Sequence, residues 1–82
     1  MIEIDPHARE RAAERGANED EIVTTIESGE RFVAKYGRTG FRHDFIFNGI
    51  WRGKRYANKQ IEAIAVEEHG RWIVVTVLVK YF

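Results

Sequence analysis

Residues Arg71 to Phe82, RWIVVTVLVKYF, are β-branched almost throughout and contain neither Gly nor Pro. That pattern predicts a pleated strand rather than a helix. Alternation places Ile73, Val75, Val77, Val79 and Tyr81 on one face, and Trp72, Val74, Thr76, Leu78 and Lys80 on the other. Both faces are largely apolar, which predicts an interior strand, central to the sheet, with other elements covering it.

Earlier in the chain the period is helical. Asp5-Pro6 is a helix start: Asp5 caps free amides, and Pro6 at the first helical position gives up no needed hydrogen bond. The helix ends at Gly16, with Ala8 and Ala12 as a thin apolar stripe that permits close approach to a sheet. His7, Arg11 and Arg15, at i, i+4 and i+8, share another face. Asn18 with Glu21 reads as a capping box for a second helix that buries Ile22, Val23 and Ile26 and ends at Gly29.

From Arg31 the period falls to two. Arg31–Tyr36 is a candidate strand, Gly37–Gly40 a turn, and Phe41–Ile50 the next strand, with Asn48-Gly49 as an alternative hairpin turn. A loop around Gly53 leads into a strand over Tyr56–Glu67, and Glu68-His69-Gly70 turns into the final strand. A ledge of two residues, Ile2 and Ile4, alternates with acids as a short leading strand. The order is α-α-β-β-β-β. It predicts an α+β fold, with two short N-terminal helices on one face of a four- to five-stranded, mainly antiparallel sheet. A strict meander would leave the last strand on an edge. Its two-sided apolar pattern predicts a neighbour, for which the leading strand is the candidate.

Eighty-two residues make one domain, 1–82. With no cysteine there is no disulfide scaffold, thiol nucleophile or cysteine–zinc site, which suits a reducing compartment and a cytoplasmic location. The start has no basic or apolar signal region, and no apolar run approaches membrane-spanning length. Net charge is zero but uneven: residues 1–30 hold nine acids and three Arg, and residues 31–82 hold ten Lys or Arg and four acids. This is either complementary halves or a basic sheet that meets phosphates, although a neutral total disfavours strong non-specific binding to nucleic acid.

No phosphate-cradling Gly loop, dinucleotide fingerprint or nucleophile elbow is present, and the three His have no metal-ligand spacing. No cofactor and no metal are expected. What remains is imidazole and cation chemistry. RNA is cleaved without metal when a base takes the 2′-hydroxyl proton, an acid protonates the leaving oxygen and a cation stabilises the phosphorane. His7, Arg11 and Arg15 on the first helix, and Arg42, Lys59, Thr76 and Lys80 on the sheet, are the candidates. Each has a plainer reading. His7 caps the helix or faces solvent, Arg11 and Arg15 pair with helix acids, Arg42 joins a cross-strand ion pair, Thr76 is structural and Lys80 is solvated. Tyr36, Trp51, Tyr56 and Trp72 stack bases or simply pack.

His7-Ala8-Arg9-Glu10-Arg11, Glu14-Arg15-Gly16, Ile26-Glu27-Ser28-Gly29 and the terminal Ile73-Val74-Val75-Thr76-Val77 together resemble a bacterial domain-of-unknown-function family with a helix-borne His-Ala-x-x-Arg motif. That family is similar in architecture to RelE-like and barnase-like ribonuclease toxins. The resemblance implies His7 and Arg11 at the site, with Thr76 on the last strand. It also implies metal-independent RNA cleavage or ribosome-linked RNA binding, and an antitoxin-like protein partner. Joined to the residue reading, it gives a toxin-like endoribonuclease in which His7, Arg11, Arg42 and Thr76 form the catalytic set and Arg15, Lys59 and Lys80 bind phosphate. The alternative is a catalytically silent protein-interaction module.

Overall fold

The computed structural model describes residues 1–82. Its elements are β1 (Ile2–Ile4), α1 (Pro6–Glu14), α2 (Glu19–Ser28), β2 (Glu30–Val33), β3 (Thr39–Trp51), β4 (Lys54–Glu68) and β5 (Arg71–Tyr81), with a short 3-10 turn over Lys35–Gly37. The five strands form one sheet in the order β1-β5-β4-β3-β2. The fold is α+β as the patterning predicts, and β1 lies beside β5, pairing with it in parallel while every other pair is antiparallel.

Both helices start and stop where their capping residues dictate. The Asp5 carboxylate accepts from the amides of His7 (2.9 Å) and Ala8 (3.4 Å). Asn18 and Glu21 form a reciprocal capping box, with acids filling the first turn of α2 where the helix dipole favours them. The helices cover one face of the sheet. Ala8 and Ala12 let α1 sit close to the strands, Ala17 is buried in the turn that follows, and Ile22 and Ile26 of α2 fill the space over Phe41, Ile61, Ala63, Ala65, Val74 and Val77. Small residues on the helix and on β4 set this tight approach; substituting a larger side chain at Ala63 or Ala65, both fully buried, would force overpacking.

The two long hairpins close through two-residue turns, Arg52-Gly53 and His69-Gly70, with all four residues at positive φ. These are the type I′ turns whose twist matches antiparallel strands. Asn48-Gly49 is therefore not the hairpin turn. It lies inside β3 at a register shift between Ile46 and Gly49, with Asn48 in the left-handed region. The strand expected over Arg31–Tyr36 stops at Val33. Val33 pairs with Thr39, and the chain reverses between them with Tyr36 left-handed, so Tyr36 cannot continue the ladder.

Two features of β5 depart from simple alternation. The centre of the sheet is β4, not β5. And β5 carries a bulge: Ile64 pairs with Thr76 but Ala65 pairs with Val74, leaving Val75 as an extra residue. Cross-strand partners share a face. Val74 beside Ala65 and Val77 beside Ala63 are thus both under the helices, and both have no exposure, although strict alternation assigns them to opposite faces. Trp72 and Val74 join Val77, Val79 and Tyr81 on the covered side, while Ile73, Thr76, Leu78 and Lys80 lie towards the open side.

Candidate active site

The bulge sits where β1 ends. Ile4 is the last residue of β1 to pair, against Val74, and the Asp5 amide donates to the Val74 carbonyl (3.0 Å). The chain then leaves the sheet as α1, so β5 has no strand neighbour on that side beyond Val74. Phe82 exchanges both backbone hydrogen bonds with Asn58 (2.8 and 3.0 Å). By the alternation of an antiparallel ladder, the N–H and C=O groups of Tyr81, Val79 and Val77 therefore point away from β4. One guanidinium nitrogen of Arg15 reaches this edge and donates to the Val77 carbonyl (2.6 Å).

Between α1 and this half-free edge lies a cleft of about 440 Å³, lined by Asp5, His7, Ala8, Arg11, Arg15, Val75, Thr76 and Leu78. The helical stripe His7/Arg11/Arg15 forms one wall. The bulged stretch of β5 forms the other. Four of the seven candidate residues, His7, Arg11, Arg15 and Thr76, thus meet in one concave site although Thr76 is more than sixty positions from the rest. The His7, Arg11 and Thr76 side chains have no hydrogen-bond or ion-pair partner in the protein. On α1 it is Arg9, not Arg11 or Arg15, that pairs with an acid, reaching Glu19 at 3.6 Å. Asp5 is the single acid in the lining, and its Oδ1 is occupied by the two amides it caps. The cleft therefore presents two guanidinium groups, an imidazole and a hydroxyl beside the Asp5 carboxylate, whose Oδ1 is engaged in capping. Guanidinium planes bind phosphate oxygens in forked pairs, imidazole exchanges protons near neutral pH, and a hydroxyl both donates and accepts.

The other three candidates are elsewhere. Lys59 lies on the helix-covered face, 7% exposed, where its ammonium donates to the Gly16 carbonyl (2.9 Å) and pairs with Glu21 (2.8 Å). It holds the α1–α2 turn down on the sheet. Tyr81 does the same from the next strand, its hydroxyl donating to the Arg15 carbonyl (2.9 Å). Arg42 lies on the open face between Glu62 (2.8 Å) and Glu30 (3.1 Å) and stacks over Phe32 at 4.4 Å. The hydrogen bond it donates to Glu62 chiefly holds its pKa above the usual arginine value. Lys80 borders a separate shallow hollow of about 140 Å³ with Gln60, Glu62, Leu78 and Val79. Leu78 separates that hollow from the cleft and borders both.

Sequence reasoning passed over the backbone. Neither the bulge at Val75 nor the bare edge of β5 leaves a composition signal, because Val75 is as β-branched as its neighbours. The brevity of Ile2–Ile4 was the available clue: a three-residue strand cannot cover an eleven-residue one.

No group of three or more His, Cys, Asp or Glu is placed to hold a metal ion, and no helix is long and apolar enough to cross a membrane. The model of one protein family, described as a domain of unknown function (DUF4258), matches residues 4–79. No curated protein and no solved structure matches the chain.

Proposed function

The chain belongs to this family of unknown function, DUF4258, and we propose that it acts on RNA through the α1–β5 cleft, as a metal-independent endoribonuclease of the RelE-like or barnase-like kind. The observation that carries this reading is the meeting of His7, Arg11, Arg15 and Thr76 in one cleft with no competing carboxylate pair. His7 serves as the acid or base. In transesterification the 2′-oxygen loses its proton and attacks phosphorus, the bond to the 5′-oxygen breaks, and that oxygen is protonated as it leaves, giving a 2′,3′-cyclic phosphate end. Arg11 and the free nitrogens of Arg15 neutralise the phosphate and the phosphorane formed from it. Thr76 orients a non-bridging oxygen. Arg42 and Lys59, each engaged with acids, take no part, and Lys80 touches at most a flanking phosphate.

The test is incubation of the purified protein with total RNA in EDTA, beside His7→Ala and Arg11→Ala. The expected result is cleavage that survives the chelator, leaves cyclic phosphate ends and falls roughly 100-fold or more in His7→Ala. Absence of cleavage, or equal residual cleavage in both folded variants, overturns it. The second reading, a silent interaction module, is favoured by the bare outward backbone of Val79 and Tyr81, which suits an extended segment of an antitoxin-like protein added as a sixth strand. RNA inactivity together with strand-for-strand binding of such a partner would establish it.

A further inference from the structure

Beside the cleft is a second hollow of about 380 Å³, lined by Arg15, Trp51, Arg52, Leu78, Val79 and Tyr81. It shares Arg15 and Leu78 with the cleft, so the two hollows adjoin across these side chains. Trp51 is held in a fixed attitude. It stacks on Tyr81 with ring centres 4.8 Å apart and planes 15° from parallel. Phe47 packs edge-on to Tyr81, and the Tyr81 hydroxyl is tied to the Arg15 carbonyl. Gly16, at φ 86, lies so close to the Trp51 ring and the Tyr81 hydroxyl that a β-carbon there would collide with them. Arg52, fixed at φ 51 in the β3–β4 turn, places its guanidinium carbon 5.3 Å from the centre of the Trp51 ring. It has no carboxylate partner, and no acid lines the hollow.

A packing role alone accounts for Tyr81, whose ring sits among three other aromatic residues. It does not account for an unpaired cation poised over an indole at the wall of an acid-free hollow. Bases bind in such places, between aromatic rings and guanidinium planes, because every base has a π face. We propose that Trp51 and Arg52 form a nucleobase-stacking subsite for the same single-stranded RNA whose phosphate lies in the α1–β5 cleft, with Arg15 contacting the backbone between the two. This rests on the RNA reading above and extends it. Thr76 and Tyr81 are about 17 Å apart along β5, so one mononucleotide does not fill both hollows and the occupant is an oligonucleotide. Stacking implies tolerance of base identity at this position, with discrimination arising elsewhere.

The experiment uses a short 2′-O-methyl RNA, which cannot undergo transesterification, and the same strand carrying an abasic site scanned through each position. Affinity is read by fluorescence anisotropy. Wild-type protein is expected to lose about tenfold in affinity at one abasic position. Trp51→Ala is expected to lose the same amount on the intact strand and nothing further on the abasic strand, while Trp51→Phe retains most of the affinity. The abasic arm leaves the protein unaltered, so it reads the subsite even where a variant folds poorly. Binding that depends on Arg11 but is indifferent to every abasic position overturns the subsite and leaves the RNA reading standing. Absence of binding to any strand overturns both.

Discussion

The α1–β5 cleft and the Arg42 network are both built around guanidinium groups, and they differ in what register places opposite them. On the open face, pairing sets Glu30 and Glu62 directly across from Arg42 on its two neighbouring strands, so one cation faces two carboxylates. In the cleft, the helix stripe looks onto a strand edge, where the groups opposite are backbone and a hydroxyl and the one lining acid, Asp5, caps the helix rather than pairing with a guanidinium. A cation inside a ladder inherits fixed partners from its register; a cation facing an edge does not. Free positive charge in a small neutral domain is thus to be sought where the sheet runs out, not where basic residues are densest.

Lys59 is the sharpest test of that division, because it reads as a phosphate binder in sequence and as a structural clamp in three dimensions. Lys59→Met deprives the Glu21 carboxylate and the Gly16 carbonyl of their donor. Removing one member of a largely buried pair costs about 3 kcal/mol, which urea unfolding would show as a lowered midpoint. Arg11→Gln, with no partner to abandon, is expected to stay within about 0.5 kcal/mol of wild type. Were Arg11→Gln the more damaging of the two, the assignment of clamp and site would be reversed.

Tyr81 gives a smaller effect with a pH signature. Burial, reinforced by Glu21 and partly offset by Arg52, raises its pKa above the ordinary phenol value of 10.0. The folded state therefore holds the phenolic proton more tightly than the unfolded chain. Its contribution is complete below pH 10 and disappears as pH rises through the higher folded-state value. Tyr81→Phe is expected to cost about 1 kcal/mol near neutrality, the net worth of its hydrogen bond to Arg15. The wild-type advantage over Tyr81→Phe should shrink as pH is raised above 10 in denaturation curves. An advantage that held constant across that range would mean the hydroxyl bond is not what clamps the turn.

What the sequence made legible follows the locality of the physics. Asp5-Pro6, Asn18 with Glu21, and Gly53 and Gly70 act through neighbours a few residues away, so helix starts and hairpin turns were readable. The stripe His7/Arg11/Arg15 was readable for the same reason. Its meeting with Thr76 depended on β1 lying beside β5, a neighbour that the two-sided apolar pattern of β5 anticipated without its parallel direction. The burial of Lys59 was not readable, because it is decided by a glycine carbonyl and a glutamate some forty residues away. Nor was Trp51/Arg52: the expected strand stops at Ile50, short of Trp51, and only the I′ turn carries Arg52 back over its ring.

The smallest effect belongs to Arg42, and it bears most directly on the comparison. Each phosphate contact made by a basic residue contributes about one unit to the slope of log affinity against log salt. With the uncleavable RNA, Arg11→Gln is expected to lower that slope by about one and weaken binding at every sequence tested. Arg42→Gln is expected to leave slope and affinity where they were, since its guanidinium is already satisfied by Glu62 and Glu30. The converse substitution completes the argument. Glu30→Gln with Glu62→Gln removes both carboxylates without touching any residue of the cleft, and frees the Arg42 charge on the open face. If register-imposed neutralisation is what silences that face, the double variant should gain non-specific RNA affinity and a steeper salt slope. A slope indifferent to both carboxylates would mean that the open face is kept from phosphate by shape rather than by charge, and the lesson drawn from the two regions would have to be restated in those terms.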